Sequence, residues 1–315
     1  MKTICLFATN YALLQILLFY NAKDCVFFCD NLVSDDVYLR LKKYSKCYRI
    51  SNSLFGSIVN RFNIYKEVFF STKECKRFLC QDHLLATNIL WKKRYRSIPL
   101  DVLEDGTANY EYQLSDILEK SKKYNHLILG IDERVNNIYL SGYEEITEFY
   151  DKNKVKKIDI HNLWLNCSPK KQEVILKVFG MDIINFDLYK GCNFCLITQC
   201  FSGAGYITES KQIEIYSNIL KHYHQEQVII KPHPNDYINY KMVFPRAKIF
   251  SKDVPFELFY YIFGHKIDKY ITISSTSAYI IPKNRIDKYD FYGDNVDEDN
   301  KKINETNINV TKYRY

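Results

Sequence analysis

Short apolar runs alternate along this chain with amphipathic stretches of helical length, and that alternation restricts the fold more than any other feature. The runs ICLFA (4–8), DCVFFCD (24–30), SIPLDVLED (97–105) and HLILGI (126–131) have the length and bulk of buried strands. A second set follows a lysine-rich region at 151–157: CLITQC (195–200), the helix-like ESKQIEIYSNILKHYH (209–224), QVIIKP (227–232), AKIFS (247–251), PFELFYYIF (255–263) and KYITISS (269–275). Strands that are apolar throughout belong to sheets covered on both faces. Regular strand–helix–strand succession gives βαβ units with parallel sheets. The expected class is therefore α/β, in two domains that face each other across a central cleft and join between 152 and 190. In open α/β sheets, ligands bind beyond the carboxyl ends of the strands, so polar residues at those ends are the candidates for function.

The chain has 315 residues, 47% of them hydrophobic, enough to fill two cores and to exclude a disordered protein. The stretch around Leu13, Leu14, Leu17 and Leu18 follows a lysine, as in a signal peptide, but Thr9, Asn10 and Gln15 interrupt it and no small-x-small cleavage site follows. It reads as a strand, a turn and a helix. Net charge is +7, spread over clusters such as Lys92-Lys93-Arg94 and the lysines at 120–123. Such clusters form solvated helix faces or a surface attracted to anionic lipid or a phosphorylated ligand; no motif for nucleic acid accompanies them. The ten cysteines have no regular spacing, and Cys192-Asn193-Phe194-Cys195 is a lone pair without a second pair or a histidine. Free thiols in a reducing cytoplasm are expected, without structural zinc.

Four polar clusters stand at strand ends. In Leu103-Glu104-Asp105-Gly106-Thr107, two acids precede a glycine, as a plain turn or as a general base held beside a bulky substrate. In VIIKPHPND (228–236), prolines on both sides of His233 restrict the backbone and so aim the imidazole, while Lys231 adds the charge that suits a phosphate. The hydroxyls of Ser274-Ser275-Thr276-Ser277 follow an apolar strand and exceed what a helix cap needs, which fits an anion-binding terminus. Glu257 interrupts the apolar start of a helix, either favouring the helix dipole or accepting from two ribose hydroxyls. No P-loop, no GxGxxG turn and no Asp-x-Asp metal motif accompanies these clusters, so chemistry without a metal is expected.

Glu104-Asp105-Gly106 with Thr107 and Tyr110, Lys231-Pro232-His233-Pro234, Pro255-Phe256-Glu257 and Ser274-Ser275-Thr276 resemble, in this order, the bacterial lipooligosaccharide sialyltransferases of glycosyltransferase family 52. The resemblance runs from the N-terminal strand to about residue 281. It implies a GT-B-type fold of two Rossmann-like domains, an acceptor-side domain over 1–155 and a CMP-sugar-binding domain over 156–282, with a polar extension over 283–315. It also implies inverting transfer of sialic acid from CMP-sialic acid to a galactoside, with no cofactor and no metal. By the same resemblance, His233 acts on the CMP phosphate as general acid or hydrogen-bond donor, supported by Lys231. Ser274, Ser275 and Thr276 hold the phosphate, Glu257 holds the ribose, and Asp105, with Glu104 beside it, lies on the base side.

One stretch departs from the family pattern. Gln199-Cys200-Phe201-Ser202-Gly203-Ala204-Gly205 stands where the family carries Gln-Pro and then acids before the glycine. Gln199 and Gly203 remain donor-side candidates, and the base is then Asp105, with Glu104 and Glu209 as alternatives. The expected partners are a CMP-sugar donor, a galactose-terminated oligosaccharide or glycolipid acceptor, the cytoplasmic face of the inner membrane and a second copy of the chain in a homodimer. Nucleic acid is not among them. Two further readings stay open: a GT-B transferase using another CMP- or nucleotide-linked sugar, and a non-catalytic homologue that binds sugar nucleotide or glycan.

Overall fold

The computed structural model describes residues 2–50, 54–70, 75–106, 108–142, 145–273, 275 and 289–291. The chain forms two compact units, Met1–Asp182 and Ile183–Tyr315.

In the first unit the elements run β1 (Lys2–Phe7), α1 (Asn10–Phe19), β2 (Cys25–Cys29), α2 (Asp35–Leu41), β3 (Lys46–Arg49), α3 (Leu54–Phe70), β4 (Cys75–Cys80), β5 (Leu100–Leu103), α4 (Ala108–Glu111), α5 (Leu114–Ser121), β6 (Asn137–Leu140), β7 (Val155–Lys157), α6 (Ile160–Leu165) and α7 (Pro169–Val178). The strands make one sheet in the order β3-β2-β1-β4-β5-β6-β7, and every pair is parallel. Ile4 lies between Val26 and Phe78 in register, so the first strand is central and apolar along nearly its whole length. The turn into α1 is set by Thr9, whose hydroxyl accepts from the Ala12 N–H and caps the helix. Ile4, Leu6, Phe28, Phe78, Val102 and Ile138 meet in one core, where full burial of such a side chain contributes about 1.5–3 kcal/mol.

HLILGI is not a strand. Leu129 and Gly130 adopt the left-handed conformation, and Ile128 and Leu129 pack with Ile117 as a small plug. An apolar run this short fits a buried turn as well as a strand. Four strands of this first sheet went unmarked in the sequence. In β4, Lys76 and Arg77 break the apolar run, and Arg77 pairs with the buried carboxylate of Asp101 on β5. Strand β7 is an edge strand with two exposed lysines, the composition expected where a sheet must not recruit another chain. β3 and β6 are four residues each and mix polar with apolar side chains. The division between the units falls after Asp182 and not at 155–156, because α6 packs on α1 and α7 on α2, with the Lys171 ammonium donating to the Leu18 carbonyl at 2.6 Å.

The second unit contains β8 (Phe194–Ile197), α8 (Glu209–Leu220), β9 (Val228–Lys231), α9 (Tyr240–Val243), β10 (Lys248–Ile249), α10 (Phe256–Phe263), β11 (Lys269–Thr272) and β12 (Tyr289–Phe291). Its sheet has the order β10-β9-β8-β11-β12, again wholly parallel. In each unit the first strand is central, the next two step outward on one side and the following strands on the other, which is the doubly wound Rossmann-like pattern. PFELFYYIF forms α10: Pro255 fixes its entry, and a helix buried on most sides needs no polar face. β12 lies inside the segment assigned above to a polar extension and pairs with β11, Tyr270 opposite Tyr289, so the sheet continues past residue 282. Among the described residues no helix is long and apolar enough to cross a membrane.

Candidate functional site

Parallel pairing brings all carboxyl ends of the first sheet to one edge, and its switch point lies between β1 and β4. Gln81, the residue after β4, bridges that point. Its carbonyl accepts from the Ala8 N–H at 2.8 Å, and its amide donates to Asp105 Oδ1 at 2.8 Å. Glu104 and Asp105 follow β5 and face opposite ways, as consecutive residues of an extended chain do. The Glu104 carboxylate is buried and accepts from the Tyr110 hydroxyl at 2.6 Å, the Ser141 N–H at 2.5 Å, the Ser141 hydroxyl at 2.9 Å and the Tyr11 hydroxyl at 3.2 Å. Burial raises its pKa, and these donors oppose the rise. With its lone pairs occupied, Glu104 is tied to the scaffold. Asp105 is partly exposed, and Oδ2 lies 3.3 Å from His83 Nδ1. Gly106 turns the backbone with φ +61°, while Thr107 lies outside the described residues.

Next to Gln81, the buried Asp82 carboxylate accepts the N–H groups of Leu129 (2.8 Å) and Gly130 (2.7 Å), the two left-handed residues of the HLILGI turn. Burial pushes its pKa up to about 6 against those two bonds. The Tyr124 hydroxyl donates to the His83 carbonyl, and the His126 ring stacks on Trp91 with centroids 3.5 Å apart. The Gln81-Asp82-His83 corner is thus fixed from both sides.

In the second unit the stretch VIIKPHPND begins as β9 and ends as a loop built around Asp236. One oxygen of this buried carboxylate accepts from Thr198 Oγ1 (3.0 Å), Gln212 Nε2 (3.1 Å) and the Tyr240 hydroxyl (2.6 Å), and the other accepts from the Ile238 N–H (3.1 Å). Thr198, the residue after β8, in turn accepts from the His233 N–H at 3.1 Å. The imidazole Nδ1 accepts from the Asn235 N–H at 3.2 Å, which leaves the ring hydrogen on Nε2. Burial, and then the neighbouring Lys231 charge, pull the His233 pKa down to about 4 against Asp236, so the ring is neutral at pH 7. Lys231 is buried and donates to the Pro232 carbonyl at 3.3 Å. Burial lowers it to about 8, with Cys195, Glu257 and Asp253 opposing. The end of β9 therefore offers a neutral N–H donor beside a cation short of water, an arrangement suited to an incoming anion.

Around this loop, Glu257 is buried in the first turn of α10, near enough for its charge to favour the Lys231 ammonium. Ser275 is buried, and its N–H donates to Thr272 Oγ1 at 3.1 Å; Ser274 and Thr276 lie outside the described residues. The Gln199 N–H donates to the Tyr216 hydroxyl at 2.6 Å, and the Gln199 carbonyl accepts from Gln212. Cys200 Sγ donates to the Asn235 carbonyl at 3.0 Å, and a Cβ on Gly203 would lie 2.3 Å from that sulfur. The glycine is there for space, since it lets the loop after β8 pack on the histidine loop. Glu209 begins α8, exposed to solvent, next to the capping Thr208.

His233, Lys231, Glu257 and Gln199 thus gather around the carboxyl ends of β8 and β9 and the start of α10, while Asp105 and Glu104 belong to the first unit. Gln81, Asp82, His83, Thr198 and Asp236 were missed as candidates. For the first three the signal was present, because RFLCQDH ends an apolar run in polar residues just as LDVLEDG does.

The model of Glycosyltransferase family 52 matches residues 40–295. A protein of Haemophilus influenzae, itself described as uncharacterized, is 33% identical over 212 residues, 67% of this chain and 66% of that protein. The match spans just under two thirds of that relative's length. The GT-B domain of a sialyltransferase from Photobacterium damselae has a similar structure, with a TM-score of 0.56 at 15% identity over 92% of this chain and 90% of that one. UDP-GlcNAc 2-epimerase from Methanocaldococcus jannaschii gives 0.53 at 14% identity, over 100% and 94%. These likenesses identify the fold as GT-B. A transferase and an epimerase share it, so the chemistry rests on side chains.

Proposed function

This chain belongs to glycosyltransferase family 52, and from that membership we propose that it is an inverting sialyltransferase, moving sialic acid from CMP-sialic acid to a terminal galactoside of a bacterial surface glycan, lipooligosaccharide or capsule. The observation that carries the proposal is the end of β9, where Nδ1 of His233 is occupied by the Asn235 N–H and Nε2–H is left to donate, beside the buried Lys231. Sialic acid leaves CMP through an oxocarbenium-like state, and negative charge grows on the CMP phosphate as the bond from the anomeric carbon to the phosphate oxygen breaks. A donor fixed before the reaction stabilises that charge; removing one such donor typically costs roughly 10²- to 10³-fold in rate. Because His233 is neutral in the free protein, its role is that of a hydrogen-bond donor to the leaving group.

In this reading the Lys231 ammonium balances the phosphate charge, Glu257 accepts from the ribose hydroxyls, and Ser275, with Ser274 and Thr276, donates to the phosphate. Gln199 and Gly203 line the donor side. Asp105 takes the proton of the acceptor hydroxyl as that oxygen bonds to the anomeric carbon from the face opposite CMP, which inverts the centre. Asp105 is preferred to Glu104, whose carboxylate is taken up by Tyr110, Ser141 and Tyr11, and to Glu209, which stands exposed in the first turn of α8. No metal enters this scheme, since lysine and N–H donors serve the phosphate. We assign the reaction to the cytoplasmic side of the inner membrane, with the basic excess holding the protein on anionic lipid. The acid-free stretch from Cys200 to Gly205 favours one second reading, a homologue that binds the sugar nucleotide without transferring it.

The test is incubation with CMP-sialic acid and a galactoside such as lactose, scoring released CMP and sialylated product, with other nucleotide sugars run in parallel. Transfer from CMP-sialic acid, nearly abolished in a folded His233→Ala variant, is expected. Asp105→Asn should lower turnover more than CMP affinity. Transfer by His233→Ala at the wild-type rate overturns the assignment, and CMP binding without any transfer selects the second reading.

A further inference from the structure

We propose that His83 is a positioning residue that receives, through Nδ1, the proton Asp105 takes from the acceptor hydroxyl, an inference that rests on the transferase reading above. Three observations lead there. Gln81 and His83, the first and third residues after β4, each address a different oxygen of Asp105: the Gln81 amide donates to Oδ1 at 2.8 Å, and His83 Nδ1 stands 3.3 Å from Oδ2. That nitrogen is buried and makes no hydrogen bond, although the rest of the ring is partly exposed. The backbone of His83 is held by the Tyr124 hydroxyl, and its neighbour Asp82 by the N–H groups of Leu129 and Gly130, so the placement of the ring is built in.

Nδ1 of His83 lies 3.3 Å from Oδ2 of Asp105 with no hydrogen bond made, and in the tautomer that carries its hydrogen on Nε2 that nitrogen is free to take up a proton. When Asp105 takes the hydrogen from the acceptor, the contact becomes an O–H···N hydrogen bond along which the proton can move. The acceptor oxygen keeps its electron pair and forms the bond to the anomeric carbon while the bond from that carbon to the CMP phosphate oxygen breaks. The proton passes to Oδ2 of Asp105 and then to Nδ1 of His83, giving a transient imidazolium; after product leaves, that Nδ1 proton is lost to water and the ring returns to its Nε2–H form with Nδ1 bare. Asp105 is returned as carboxylate without needing direct contact with bulk solvent. Ionisable groups around the pair include Asp82, beside His83 in sequence, Glu104, beside Asp105, and Tyr124; His126 Nε2 lies 2.9 Å from the Asp82 carbonyl.

The experiment compares wild type, His83→Ala and His83→Asn in CMP-sialic acid transfer to lactose, with CMP affinity and circular dichroism as checks on folding. Asparagine places an amide donor near the position of Nδ1 but cannot take up a proton. His83→Ala is expected to lose about 10- to 100-fold in kcat, up to the lower limit of the general acid–base range because the ring acts through Asp105, with KM for the donor unchanged. His83→Asn should stay within a few-fold of the alanine variant, and added imidazole should restore rate to His83→Ala in proportion to its free-base concentration. Wild-type kcat in His83→Ala overturns the inference and leaves the transferase reading standing. Full rate in His83→Asn, or no rescue by imidazole, overturns proton uptake and reduces His83 to an orienting contact. No transfer by the wild-type chain overturns both readings together.

Discussion

Removing the Asp236 carboxylate tests whether the histidine loop is organised by its own buried network. In Asp236→Ala the Thr198 and Tyr240 hydroxyls, the Gln212 amide and the Ile238 N–H lose their acceptor in a site where water cannot replace it. A hydrogen bond to a charged group contributes roughly 1.5–3 kcal/mol, but the four share one acceptor and some donors can turn elsewhere. A total loss of about 3–5 kcal/mol follows, at the upper end for single substitutions. Asp236→Asn should cost about 1–3 kcal/mol. If its amide flips so that the remaining oxygen faces Thr198, Gln212 and Tyr240, only the Ile238 N–H is left without an acceptor. Denaturant unfolding followed by circular dichroism reads both values. CMP affinity should fall with stability, because Thr198, which Asp236 orients, holds the His233 N–H. Wild-type stability together with wild-type CMP affinity in Asp236→Ala would refute the reasoning, since it would show that the loop holds its shape without the carboxylate.

Lys231 gives a pH prediction with a definite sign. Burial depresses its pKa to about 8, so the ammonium is charged below that pH and neutral above it; calorimetric CMP affinity should weaken as pH rises from 7 to 9.5, and a Lys231→Met variant should lose that slope. Gly203→Ala should lower stability by about 1–3 kcal/mol, because the new methyl group meets Cys200 Sγ, and a Cys200→Ala, Gly203→Ala double variant should recover part of the loss in the same unfolding assay.

Legibility of the site followed the kind of residue that stands in each strand. VIIKPHPND was readable because four buried apolar or aliphatic-stemmed residues end abruptly in a rigid polar turn, and β9 and its loop follow that outline. The equally informative QDH corner was passed over because Lys76 and Arg77 mask β4, and the reason for Arg77, the buried Asp101, sits on a different strand. HLILGI misled for the converse reason: its apolar residues fill a plug, and the carboxylate that permits the left-handed turn comes from Asp82, more than forty residues earlier. Glu104 and Asp105 were equal candidates as neighbouring acids. Alternation of side chains places one among Tyr110, Ser141 and Tyr11 and leaves the other at the edge with Gln81 and His83.

By itself the sequence determined that two parallel α/β sheets would form and that polar residues would collect at their carboxyl ends, because apolar runs of strand length separated by helices can bury their surface in few other ways. Tertiary structure alone decided which ends become neighbours. Backbone ladders pair one strand with another regardless of side chains, so the orders β3-β2-β1-β4-β5-β6-β7 and β10-β9-β8-β11-β12 follow from packing over the whole sheet. That order sets Gln81 between Ala8 and Asp105, and Thr198 beside His233, pairs separated by 73, 24 and 35 positions along the chain. Contacts so distant in sequence leave no periodic trace in it, and within each unit they turn a row of polar strand ends into an ordered cluster, one around Asp105 and one around His233.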